Sequence, residues 1–132
     1  MYHFTALVTL LAVLVYFYSS ILVSRARGKF GVKLPAISGN PDFERVFRAQ
    51  MNTLEWLPMF LPSLWLFAIY WSDLVATILG VVWIVGRIIY AVTYVADPGK
   101  REAGFIIQTL ATAILLFGVL GRAIRMLATV GA

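Results

Sequence analysis

From Phe4 to Val23 the chain runs 20 residues without a charged side chain, and three further apolar stretches of similar length follow. A helix needs about 20 predominantly apolar residues to cross a hydrocarbon core roughly 30 Å thick. Four such helices would consume about 80 residues of a 132-residue chain. Only short connections remain, with no room for a separate soluble domain. Composition agrees, since 61% hydrophobic and 13% charged residues with a mean hydropathy of +0.88 lie outside the range of ordinary soluble domains. Membrane strands are excluded, because each run exceeds the about 9–11 residues a strand needs and none alternates. The expected fold is an all-α, four-helix transmembrane bundle forming one domain over residues 1–132.

The first span covers 4–23 and stops at Ser24-Arg25-Ala26-Arg27-Gly28-Lys29. It lacks a basic leading region and a small-residue cleavage site, and its positive charge follows the apolar run, which predicts a retained helix rather than a signal peptide. Gly28, Gly31, Pro35, Gly39 and Pro41 then break the chain into a loop. A second helix is predicted from near Asp42, an acidic residue suited to a helix start, with its span over 43–70. Ser72-Asp73 is the only polar break before a third span over 74–94, so these two helices form a tight antiparallel hairpin. Pro98-Gly99 ends the third helix and a fourth span covers 104–127.

Lys and Arg number 11 against 6 Asp and Glu, a net charge of +5. The excess is not spread evenly. Arg25, Arg27, Lys29, Lys33, Arg45 and Arg48 lie in the first loop and the start of the second helix, and Lys100 and Arg101 lie in the third loop. The connection between helices two and three has only Asp73. The positive-inside rule therefore places loops one and three in the cytoplasm and both termini outside, against the minority vote of Arg122 and Arg125. Short loops and the lack of a targeting extension suit a bacterial inner membrane or its equivalent. With no cysteine, disulfides, thiolate metal sites and a protein thiol nucleophile are ruled out. Neither a metal nor a nucleic acid is expected as a partner; membrane lipids are.

Polar residues at membrane depth carry the chemistry. An ionised side chain there costs roughly 2.5–3.5 kcal/mol on insertion scales, so each needs a partner or a task. At about 100° per residue, Arg48, Asn52 and Glu55 fall within about 60° of one another with Arg45 beside them. Gln50 points about 200° away from Arg48, a direction that a second subunit would explain. On the third helix Arg87, Tyr90 and Tyr94 form another stripe, and Arg101 follows it. Taken singly, an arginine near a helix end snorkels to the interface, Glu55 neutralises Arg48, and the tyrosines join an interfacial belt. Two aligned stripes make that account less economical. Guanidinium forks bind carboxylates in pairs and Glu55 suits an ammonium group, so a small zwitterion with more than one carboxylate matches the set.

The run Phe43-Glu44-Arg45-Val46-Phe47-Arg48-Ala49-Gln50-Met51-Asn52-Thr53-Leu54-Glu55-Trp56-Leu57-Pro58-Met59-Phe60-Leu61 closely resembles the signature of the MAPEG superfamily, the membrane-associated proteins in eicosanoid and glutathione metabolism. Downstream, Arg87-Ile88-Ile89-Tyr90-Ala91-Val92-Thr93-Tyr94 followed by Arg101 resembles its leukotriene C4 synthase and microsomal glutathione transferase 2 branch, with this chain as a prokaryotic member. The resemblance implies a homotrimer with glutathione between neighbouring subunits near the cytoplasmic face. By position it implies glutathione contacts from Arg48, Asn52, Glu55, Tyr90 and Tyr94 of one subunit and from Arg27 and Gln50 of its neighbour. Arg101 matches the arginine assigned to the glutathione thiol. Trp56 stands where that branch often has Tyr, replacing a hydroxyl with an aromatic wall. The non-enzymatic relative, five-lipoxygenase-activating protein, differs at the positions of Arg48, Gln50 and Glu55, so the resemblance favours a glutathione-using enzyme.

The expected function is conjugation of the glutathione thiolate to lipophilic electrophiles, with reduction of lipid hydroperoxides as a second activity. Glutathione is the cosubstrate and no metal is required. Two rivals compete: a small four-helix multidrug exporter in which Glu55 exchanges a proton for a lipophilic cation, and a non-catalytic lipid-binding scaffold. The fixed charge of Arg48 repels cationic cargo and weighs against the first.

Overall fold

The computed structural model describes residues 1–130, and they form four long helices: α1 His3–Phe30, α2 Pro41–Tyr70, α3 Asp73–Ala96 and α4 Glu102–Val130. A 3-10 turn, Pro98–Lys100, joins the last two. The all-helical architecture expected from the apolar runs is present. α1, α3 and α4 are each long and apolar enough to cross a membrane. α2 has 30 residues, about 45 Å of helix, but its first half carries the charged motif.

The helices outrun the apolar runs at their basic ends. α1 continues seven residues past Val23, taking in Arg25, Arg27, Gly28 and Lys29, and stops only at Gly31. Gly28 therefore does not break the helix. Arg and Lys are good helix formers whose long stems reach the interface. At Gly31 the backbone turns left-handed, with φ 68°, and its N–H closes on the Arg27 carbonyl. α2 starts one residue before the expected Asp42, because Asn40 caps it by accepting from the N–H groups of Asp42 and Phe43 with Pro41 at the first helical position. Ser72 caps α3 through the Val75 N–H at 3.3 Å.

The interior is thin and the exterior is oily. Val8 and Ala12 of α1, Phe60 and Leu64 of α2, Trp83 of α3 and Leu115 of α4 meet in one core, where the Phe60 and Trp83 rings stack at 4.1 Å. Outside, Leu7, Leu14 and Phe17, then Val85 and Val92, then Leu110 and Phe117 all face outward on successive helices. A soluble protein would not leave such a girdle in water. It belongs to an integral membrane protein, whose backbone polar groups are satisfied within the helices.

α3 and α4 make the closest pairing, and glycine permits it. A Cβ on Gly104 would run into the backbone N of Tyr90 and lie 2.6 Å from the Gly86 carbonyl, while one on Gly86 would lie 2.8 Å from the Gln108 backbone N. The helices thus touch main chain to main chain, a small-residue contact common between membrane helices. This contact fixes their register. Counting three residues back from Gly104 and four on from Tyr90 brings Arg101 and Tyr94 to about the same level.

Candidate functional site

The two polar stripes meet in the bundle interior. Arg87 of α3 is fully buried, and its Nη1 donates to Asn52 Oδ1 at 2.6 Å and to Gln108 Oε1 at 2.9 Å. Its Nη2 reaches the Ala49 carbonyl at 3.4 Å. α2, α3 and α4 are therefore tied at one level by a single guanidinium. Because Asn52 accepts with its carbonyl oxygen, its amide N–H groups are left to point elsewhere.

Aromatic rings continue from this knot toward the basic end. The Arg87 guanidinium lies 4.0 Å from the centroid of Tyr90, an attractive placement of a cation on a π face. Tyr90 stacks on Tyr94 at 5.6 Å, with their planes 6° apart. Phe105 lies edge-on to Trp56 at 5.8 Å and 6.4 Å from Tyr90, closing a wall across the three helices. Trp56 takes part as a ring alone.

By helical period Arg48 and Glu55 share the Asn52 face of α2, and Arg101 lies level with Tyr94. Arg48, Glu55 and Arg101 are exposed, and none of them is in an ion pair or a side-chain hydrogen bond among the described residues. The only ion pair among those residues joins Arg45 to Asp42 at 3.8 Å, one helical turn apart on the surface. Glu55 does not neutralise Arg48. Seven residues separate them along α2, about 10 Å of rise.

Two residues grouped with these go elsewhere. Gln50 lies on the far side of α2, as its angle requires, and its Nε2 donates to Ser20 Oγ of α1 at 2.8 Å. That bond engages its amide nitrogen. Arg27 folds over the first loop, donating to the Ala36 carbonyl at 2.6 Å and lying 4.9 Å from the Phe43 ring centroid. Both residues are half-buried at the α1 side of α2.

Gln108 and Phe105 of α4 were not singled out by sequence reasoning. For Gln108 a signal existed. A carboxamide within an otherwise apolar span must find a partner, and it is fully buried against Arg87. Phe105 gave none, being one phenylalanine among nine. A groove of about 800 Å³ opens between α1, α2 and α3 at the basic end. Leu22, Phe30, Val46, Val92 and Val95 line it, with Arg25 and Lys29 at its edge, and none of the residues singled out as site residues contributes to it.

Comparison with known proteins matches this arrangement to a family. The sequence profile described as the MAPEG family matches residues 5–121. An uncharacterized protein of Synechocystis sp. is 53% identical over 115 residues, covering 87% of this chain and 84% of the relative. Microsomal glutathione S-transferase 2 of Homo sapiens is 43% identical over 105 residues, 79% of this chain and 71% of that protein. Leukotriene C4 synthase of Cavia porcellus is 39% identical over 111 residues, 84% of this chain and 74% of that protein. With a profile match across nearly the whole bundle, the resemblance carried by the Arg48–Glu55 motif holds, and the chain belongs to the MAPEG family.

Proposed function

We propose that this chain is a membrane-bound glutathione transferase that joins the glutathione thiolate to lipophilic electrophiles, and that the same thiolate reduces lipid hydroperoxides to alcohols, its sulfur taking one oxygen and a second glutathione then closing the disulfide with release of water. One observation carries the reading: Arg48 and Glu55 share a face of α2 with Asn52, Arg101 lies level with Tyr94, and all three are exposed without an ion pair or side-chain hydrogen bond among the described residues. Unpaired ions in a membrane bundle are costly unless a ligand completes them. Arg48, Arg101 and Glu55 complement one carboxylate, the thiolate and the ammonium group of the glutathione tripeptide, and Arg27 of a neighbouring subunit is left for the second carboxylate. The names of the relatives, glutathione transferase and leukotriene C4 synthase, support the same ligand.

The roles follow from charge. Arg48 takes a carboxylate as a fork, Glu55 takes the ammonium, Asn52 offers amide N–H groups, and Trp56, Tyr90 and Tyr94 wall the site. A thiol with a pKa near 8.5 is only a few per cent ionised at pH 7. Arg101, always protonated, stabilises the thiolate; lowering that pKa by about 2 units takes roughly 2.7 kcal/mol of preferential interaction. The thiol proton leaves to solvent. The sulfur then forms a bond to an electrophilic carbon, and the leaving group departs with its electron pair, as chloride does from chlorodinitrobenzene. Electrophiles concentrated in the bilayer meet the thiolate at its boundary, so proximity supplies further rate.

In this reading α2 crosses the membrane as the fourth span, the basic end faces the cytoplasm, the termini lie outside, and the membrane is a bacterial inner membrane or its equivalent. Three chains assemble around α2. Its exposed positions Glu55, Met59, Pro62, Leu66 and Ile69 alternate in steps of four and three, the spacing of a seam between parallel helices. A neighbour then brings Arg27 and Gln50 toward the site. The test uses purified protein in detergent with glutathione and chlorodinitrobenzene. Thioether formation, saturable glutathione binding by calorimetry and a trimeric mass are expected. Neither product nor binding would return the chain to the exporter or scaffold readings.

A further inference from the structure

Arg87 lies beneath the site and has no anion of its own. Its partners are two carboxamides, a main-chain carbonyl and an aromatic ring, all neutral. No carboxylate among the described residues comes within ion-pairing distance of it, Glu55 included. Its Nε and the Nε2 of Gln108 are buried without acceptors. A guanidinium stripped of water in this way is normally paired or placed to serve a function.

We propose that Arg87 is a positioning residue whose charge the protein leaves uncompensated, so that the anionic part of a bound ligand balances it across Asn52. This rests on the glutathione reading for the ligand's identity. Two effects follow from the geometry. Arg87 fixes the Asn52 carboxamide by its oxygen and so turns the amide N–H groups outward as donors. Its field also reaches the site through protein and not through water, which strengthens attraction for carboxylate or thiolate. Gln108 accepts from the same Nη1 as Asn52 while adding no negative charge of its own.

Gln108→Glu tests the idea because it supplies the missing anion behind Arg87 with almost no change of shape. Thermal unfolding of the ligand-free protein and calorimetry with glutathione are measured on wild type, Gln108→Glu and Gln108→Leu. In Gln108→Glu the midpoint is expected to rise while glutathione binds about tenfold more weakly, since the cation is already satisfied. Gln108→Leu keeps the charge and loses one hydrogen bond, so its midpoint falls and its affinity changes by less than about threefold. A purely structural role moves stability and affinity together. A Gln108→Glu protein that is less stable, fails to fold, or binds glutathione as well as wild type overturns the proposal. A wild type that ignores glutathione overturns the transferase reading instead, and the midpoint of Gln108→Glu still decides the charge claim.

Discussion

The two ends of the bundle handle polarity in opposite ways. At the hairpin end, Asp73 accepts from the Thr5 N–H at 3.0 Å and from its hydroxyl at 2.6 Å, tying α3 to the start of α1. Trp65 donates to Thr9 at 2.8 Å, Trp71 donates to the Gly118 carbonyl at 3.0 Å, and Arg122 lies over the Trp71 ring. At the basic end Arg48, Glu55 and Arg101 have no ion pair or side-chain hydrogen bond among the described residues. Helix ends can be stitched with tryptophans, threonines and one carboxylate, so the unpaired charges at the other end are not forced by the fold. The hairpin end ties its carboxylate and tryptophans into the chain, with Arg122 Nε buried without an acceptor among the described residues, and the basic end keeps Arg48, Glu55 and Arg101 open to a ligand.

Substitutions should separate the ends. The largest effect is expected for Arg101→Leu, which removes the fixed charge at the thiolate: turnover with chlorodinitrobenzene falls on the order of 100-fold, while glutathione binding by calorimetry changes little. If turnover survives, the thiolate role passes to Tyr94. Glu55→Gln comes next, weakening glutathione about tenfold through loss of the ammonium's partner. Its unfolding midpoint stays at the wild-type value, because Glu55 makes no ion pair or side-chain hydrogen bond among the described residues. The smallest effect is expected for Asp73→Ala, which lowers the midpoint by a few degrees and leaves turnover and binding as they were. A loss of activity in that variant would erase the contrast between the ends.

Most of the fold could be read from the sequence because uncharged runs of this length have few fates in a chain so short of charge. The helix ends were less legible. Nothing in Ser24–Phe30 distinguishes a loop from a continuing basic helix, and only the left-handed turn at Gly31 settles it. Within the site, angular arithmetic grouped Arg48, Asn52 and Glu55 and set Gln50 apart, since those positions depend on helical period alone. Period cannot say what faces a residue. That is why Gln50 pointed toward an unknown surface until Ser20 supplied one, and why Arg87 looked like a ligand residue when its guanidinium lies in the interior bound to Asn52 and Gln108. The groove beside α1 depends on how three helices splay and has no trace in any single segment.

The glycine contact between α3 and α4 has a mechanical consequence. Because Gly86 and Gly104 bring the two backbones together at the level of Tyr90, only the Ile107 side chain intrudes on the joint. A membrane that thickens or thins loads its spanning helices, and helices joined in this way tilt as one plank. Tyr90, Tyr94, Phe105 and Arg101 ride on that plank together, so their mutual aim is insulated from the lipid that surrounds them.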